Sequence, residues 1–145
     1  MGSKGNVVTW DSLPDSLKKE LYSEINEHYL FHGTNTSAVH SIVEHGFDLK
    51  YSNEWCLFGK GIYFAEKAMK SDLYTDKHFR LSNLDPKKRF KKPPCMSCHD
   101  DLCYCGNRDY YDSVMGDGKW LFREFVVYYD ASQCYPEFLI TYERV

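Results

Sequence analysis

The chain has no apolar run approaching the roughly 20 residues that cross a bilayer. Its N-terminus has no basic stretch leading into an apolar core. Neither a membrane span nor a secretory signal is expected, and an intracellular location is. An excess of positive charge is also missing: 18 Lys and Arg face 21 Asp and Glu, a formal net charge of −3. A general nucleic-acid binder would be clearly basic, so that class is disfavoured. No internal repeat and no linker divides the sequence, so residues 1–145 are expected to form one domain with a core of its own. What is abundant is aromatic. Twelve tyrosines suit half-buried strand positions or the walls of a binding cleft. Six cysteines without a secretory signal read as metal ligands or free thiols rather than disulfides.

The stretch Phe58-Gly59-Lys60-Gly61-Ile62-Tyr63-Phe64-Ala65 organises the rest. Gly59 and Gly61 permit positive φ or close approach by another group. Ile62, Tyr63 and Phe64 are strand formers. Residues 66–74 then carry a helical pattern, with Met69 and Leu73 on one face. The product is a glycine turn, a strand and a helix, with backbone N–H groups and an aromatic ring at the mouth of a cleft. Residues 29–45 repeat this build: a strand over 29–32, a turn at Gly33-Thr34-Asn35, a helix capped by Thr36 or Ser37, and Gly46 closing it. Ala38, Ile42 and Val43 are expected to face inward on that helix.

Upstream, Leu13, Leu17, Leu21 and Ile25 predict one amphipathic helix from Ser12, with Pro14 in its first turn. The loop over 47–58 is expected to expose Trp55 and Phe58. Residues 76–94 show no clear period and hold the basic run Lys87, Lys88, Arg89, Lys91 and Lys92. That run is a solvated loop, or else a patch facing phosphate or acceptor. Downstream, Gly116-Asp117-Gly118 reads as a turn, 121–129 as a strand, and 135–142 as a last strand paired antiparallel with it. Pro136 is expected at the start of that last strand.

The cysteines can be read alone. Cys95-x-x-Cys98 followed by Cys103-x-Cys105 places four thiolates within eleven residues, which suits tetrahedral structural zinc. His99 is an alternative to one of them. Lys91 and Lys92 are positioned to balance the thiolate charge. Cys56 and Cys134 are expected to be free thiols.

Phe31-His32-Gly33-Thr34, the glycine block ending at Ala65, Lys70-Ser71 with Tyr74, and Tyr135-Pro136-Glu137-Phe138-Leu139-Ile140-Thr141-Tyr142 occur in that order. Together they resemble the catalytic domain of the poly(ADP-ribose) polymerase family, the tankyrases in particular, from about Tyr29 to Tyr142. The resemblance implies an α+β ADP-ribosyltransferase fold, a small, split, antiparallel-rich sheet with flanking helices and an NAD⁺ cleft between the two strand–turn–helix units. It implies cleavage of the nicotinamide–ribose bond of NAD⁺ and transfer of ADP-ribose to an acceptor, a protein or the chain itself. His32, Tyr63 and Glu137 would be the catalytic triad. His32 would bind ribose hydroxyls, Gly33 and Ser71 the nicotinamide carboxamide, and Tyr63 and Tyr74 the two faces of its ring. Thr34 would lie near the adenosine ribose. Family members with an apolar residue at the glutamate position transfer single units, so a glutamate leaves polymer formation open. Tankyrases carry a similar zinc-binding insertion, with His where Cys98 stands and one more residue in the last gap. Family domains usually begin with a further strand before the first helix here. A non-catalytic NAD⁺ or ADP-ribose module and a zinc-ribbon interaction domain are the rival readings, the latter resting on the basic run.

Overall fold

The computed structural model describes residues 8–54, 56–75, 92–100, 102–107, 109–118 and 122–143. The basic run up to Lys91, Trp55 and the irregular stretch 76–91 lie outside them. No helix among the described residues is long and apolar enough to cross a membrane.

Helix α1 (Thr9–Ser12) and helix α2 (Asp15–Glu20) stand where one helix is predicted. Pro14 divides them. The residue before a proline is driven out of the helical region, and Leu13 accordingly has ψ 135°. Pro14 precedes α2 rather than lying in its first turn. A 3₁₀ turn at Ser23–Ile25 ends on Asn26 in the left-handed conformation. Helix α3 (Thr36–His45) is capped by Asn35, not by Thr36 or Ser37: the Asn35 carboxamide accepts from the Ala38 N–H at 3.1 Å. Gly46, at φ 80°, closes it and returns its N–H to the Ile42 carbonyl. Ala38 and Ile42 are half-buried as expected, whereas Val43 is exposed.

Strand β1 (Ile62–Ala65), helix α4 (Ala68–Asp72), strand β2 (Ser113–Gly118) and strand β3 (Phe122–Val127) complete the regular elements. The sheet is antiparallel with the order β1-β3-β2. With its helices it is the α+β arrangement expected. β3 is central, opposite both neighbours: Val126 pairs with Tyr63 and with Val114. Ile62, Phe64, Ala65, Val126 and Tyr128 form the buried core around it.

Three stretches depart from the sequence reading. Gly116-Asp117-Gly118 is the end of β2, not a turn. The glycine there answers to tertiary packing, since a Cβ on Gly116 would lie 2.3 Å from the Phe58 ring. Phe58 is therefore half-buried rather than exposed, and its carbonyl accepts from the Tyr128 hydroxyl at 2.8 Å. The strand expected over 29–32 is a single bridge, Phe31 with Ala65, bonded in both directions at 2.8 Å. It goes no further because the next carbonyl on that edge, Tyr63 O, accepts from His32 Nδ1 instead. Finally, 135–142 form no strand. Both edges of β3 are already taken by β1 and β2, so β3 has no backbone groups left to pair with a third partner. Phe138 packs its ring against Tyr29 at 6.0 Å, and the Tyr142 hydroxyl donates to Asp72.

Candidate active site

A cavity of about 580 Å³ opens between α3, the loop after it and the sheet. That size suits a small-molecule site. The turn at His32, Gly33 and Thr34 and the first turns of α3 form one wall. Tyr51, Cys56 and Leu57 form another. Tyr63, Lys70, Tyr74 and Glu124 close the third.

His32 is held by packing and by one hydrogen bond. Its ring meets Phe47 edge-on at 4.9 Å and tilts against Phe64 at 5.5 Å. Tyr63 O can only accept, so Nδ1 carries the proton and donates at 2.9 Å. Burial holds the imidazole below the ordinary histidine value, against the opposing effect of this bond. A neutral ring with Nδ1 protonated leaves Nε2 as an acceptor. Gly33 is required by close approach: a Cβ there would lie 1.8 Å from the Ser71 carbonyl oxygen. The His32-Gly33 turn is thereby seated directly on α4.

The glycine block divides its two permitted uses. Gly59 takes positive φ, at 80°, while Gly61 gives room to Val126, whose methyl carbon a Cβ would meet at 2.5 Å. The turn is fastened by Tyr63, whose hydroxyl accepts from the Phe58 N–H at 3.0 Å and donates to Gly59 O at 2.7 Å. Burial pushes the Tyr63 phenol well above the ordinary tyrosine range, so it acts as a neutral anchor.

Glu124 is the anomaly of the sheet. Alternate residues of β3 and its continuation, Glu124, Val126 and Tyr128, are buried at 4%, 0% and 3% exposure, so a carboxylate occupies a position in an apolar row. A charge there needs partners. Tyr74 donates its hydroxyl to Glu124 Oε1 at 3.0 Å, and Lys70 Nζ lies 3.2 Å from Oε2. Burial, then the Glu124 charge, raises the Tyr74 phenol. Desolvation lowers the Lys70 ammonium from its ordinary value despite the carboxylate beside it.

Of the residues singled out from sequence, His32, Gly33, Thr34, Tyr63 and Tyr74 line this cavity. Ser71 is buried beside it, with its hydroxyl donated to Phe31 O at 3.0 Å. Glu137 is exposed and is not among the lining residues. It belongs to the stretch that forms no strand, near Tyr29. Two acidic residues line the cavity: Asp48, exposed and paired with Lys50 at 2.6 Å, and the buried Glu124, which the sequence reading passed over as one of two charges in an apolar strand. The signal was present: in a strand of period two, Glu124 shares the face of Val126.

The poly(ADP-ribose) polymerase catalytic domain pattern matches residues 10–84, which include His32, Tyr63, Ser71 and Tyr74. The chain belongs to that family. Relatives include the protein mono-ADP-ribosyltransferase PARP11 of Mus musculus, 30% identical over 157 residues, covering 86% of this chain and 45% of the relative. PARP11 of Homo sapiens is 30% identical, with 86% and 44% covered. The protein mono-ADP-ribosyltransferase PARP12 of Mus musculus is 29% identical over 131 residues, covering 82% and 17%. The chain thus spans less than half the length of these relatives. The matched pattern ends before Glu124, so within this poly(ADP-ribose) polymerase domain Glu124 is the one residue of the third wall that lies outside it.

The cysteine loop lies apart from the cavity. The sulfurs of Cys95, Cys98, Cys103 and Cys105 all lie within 4.8 Å of one another. Tetrahedral zinc with bonds of ~2.3 Å separates its sulfurs by roughly 3.8 Å, and Cys95 and Cys105 are 3.7 Å apart. Cys103 and Cys105 are closer, at 3.0 Å, and the four sulfurs together make a donor set that a metal ion can occupy. Cys95 is fully buried and bridges to Tyr110, while the Cys98 and Ser97 amides hold its thiol down to about 6. His99 stands outside the four sulfurs, its Nδ1 3.1 Å from the Tyr111 hydroxyl. Lys92 donates to Tyr110 at 2.8 Å and stacks over its ring. None of the six cysteines is in a disulfide, Cys56 and Cys134 included.

Proposed function

We propose that this domain is an NAD⁺-dependent ADP-ribosyltransferase, and that Glu124 rather than Glu137 supplies its catalytic carboxylate. The observation that carries the proposal is the buried Glu124 carboxylate in one cavity with His32, Tyr63 and Tyr74. Cleaving the nicotinamide–ribose bond leaves positive charge on the ribose, as in the oxocarbenium-like transition states of glycoside hydrolysis. A preorganised carboxylate stabilises that charge as it develops, and accepts from the 2′-hydroxyl of the same ribose. His32 Nε2 accepts from a ribose hydroxyl. The Gly33 backbone binds the carboxamide, with Ser71 behind it. Tyr63 and Tyr74 flank the nicotinamide ring, and Thr34 lies toward the adenosine ribose. The acceptor is a protein side chain, the domain's own included, and with a glutamate in the site both single-unit and polymer transfer are chemically open. Zinc on the four cysteines is structural, since four protein ligands leave no open position. This pattern supports the tankyrase likeness within the family, and the protein acts inside the cell.

The test sets two glutamates side by side. Nicotinamide release from NAD⁺ is measured for the wild type, Glu124→Gln and Glu137→Gln. Glu124→Gln should keep NAD⁺ affinity and lose turnover by a factor of ~10² to 10³. Glu137→Gln should stay near wild type. The reverse order would return the role to Glu137, and a silent wild type that still binds NAD⁺ would leave a binding module.

A further inference from the structure

We propose that α4 and the turn after it form a two-point clamp on the Glu124 carboxylate, with Lys70 and Tyr74 as positioning residues, so that Tyr74 has a task beyond presenting its ring. The proposal rests on the reading of Glu124 just given.

The two carboxylate oxygens are engaged separately. Oε1 accepts from the Tyr74 hydroxyl at 3.0 Å, and Oε2 meets Lys70 Nζ at 3.2 Å. Lys70 belongs to α4 and Tyr74 to the turn just after it, so both partners come from one short continuous segment. Tyr74 lies in the turn that follows α4, its N–H donating to Ser71 O at 3.0 Å. That segment is itself fixed. The Ser71 hydroxyl is tied to Phe31 O at 3.0 Å, and Gly33 presses on the Ser71 carbonyl so closely that no side chain fits between them. One rigid element thus sets three things: the carboxylate, the Tyr74 ring and the Gly33 turn.

The arrangement has a cost that structure alone does not require. Lys70 and Glu124 are both 4% exposed, and Lys70 Nζ has no hydrogen-bond partner of good geometry among the described residues. Removing two charges from water is expensive, and an apolar pair of similar volume would commonly be no less stable. What the ion pair supplies is orientation. A glutamate side chain has free rotors, and a carboxylate fixed at both oxygens has lost that freedom before substrate arrives. Each oxygen keeps a second lone pair, so a ribose hydroxyl can still donate to it. Desolvation at the site also strengthens the field the carboxylate exerts on a developing cation.

Tyr74→Phe deletes only the clamping hydroxyl and keeps the ring. Lys70→Met deletes the charge, and Lys70→Arg keeps it. Benzamide affinity, by calorimetry, reads the ring-binding site, and nicotinamide release reads turnover. Tyr74→Phe should bind benzamide within about twofold of wild type and lose roughly tenfold in kcat, the scale of one hydrogen bond to a charged group. Lys70→Met should lose more, on the order of a hundredfold, with Lys70→Arg recovering part of it. If Lys70→Met fails to fold, Tyr74→Phe decides the matter by its split between kcat and benzamide affinity. Wild-type kcat in Tyr74→Phe would overturn the clamp and leave the transferase standing. A parallel loss of benzamide affinity and kcat would also overturn it, by showing general damage to the pocket. A wild type that releases no nicotinamide would overturn the transferase reading and the clamp together.

Discussion

The cavity and the cysteine loop are built in opposite ways. The four sulfurs come from residues 95–105, and their closeness needs little beyond the local chain path. The cavity draws on His32, Tyr63, Lys70, Tyr74 and Glu124, which only the β1-β3 register and the seating of α4 bring together. A local site can be read from spacing, because short loops limit where ligands can go. A non-local site cannot, because one wrong pairing sends a whole strand's side chains elsewhere. The two glutamates show this. Both precede a phenylalanine within a predicted strand, yet only Glu124 lies on a strand that has partners.

The largest effect that would sharpen the contrast is on the cysteine side. Protein purified without added zinc should hold about one equivalent, and Cys95→Ser should release it. Because the energy of binding structural zinc is folding energy, that variant should lose about 4 kcal/mol or more. Metal analysis with thermal unfolding checks this, and metal-free wild type of unchanged stability would break the contrast.

A smaller effect is expected in the cavity. Tyr74→Ala removes one face of the ring site and should weaken NAD⁺ and benzamide by on the order of 1 kcal/mol or more, measured by calorimetry. Set against Tyr74→Phe, it separates the ring from the hydroxyl. Unchanged affinity would place the nicotinamide site elsewhere.

The smallest effect is in pH. His32 is held below its ordinary value of 6.5 by burial. Below that pH the unfolded chain takes up the proton first, so the folded state loses stability as pH falls from 6.5 toward the lowered value of the buried ring. Above 6.5 this contribution is fully present. Protonation of the folded ring also removes the Nε2 acceptor, so NAD⁺ affinity should decline as pH falls through that lowered value. His32→Gln should flatten the pH dependence of the melting temperature relative to wild type, and an unchanged slope would show that His32 titrates as an ordinary surface histidine.

Much of the framework is legible in the residues themselves. The pattern of Ile62 to Phe64 followed by a helical stretch predicts β1 and α4 because strand and helix formers there agree with the hydrophobic period. Gly46 ends α3 as expected, since only a glycine closes a helix at positive φ without strain. The family motifs locate His32, Tyr63 and Tyr74. The breaks come where tertiary contacts outweigh local preference. β2 is poor in strand formers, and Gly116 is there because Phe58 covers it.

The sequence by itself thus determined the family, the cysteine cluster and one half of the cavity, because each is carried by residues close together in the chain or by a motif whose order is preserved. Only the tertiary structure decided which carboxylate enters the cavity. Strand order did so: with β1 and β2 on its two edges, β3 has no pairing left for 135–142, and Glu124 is turned inward beside Val126 while Glu137 stays in solvent.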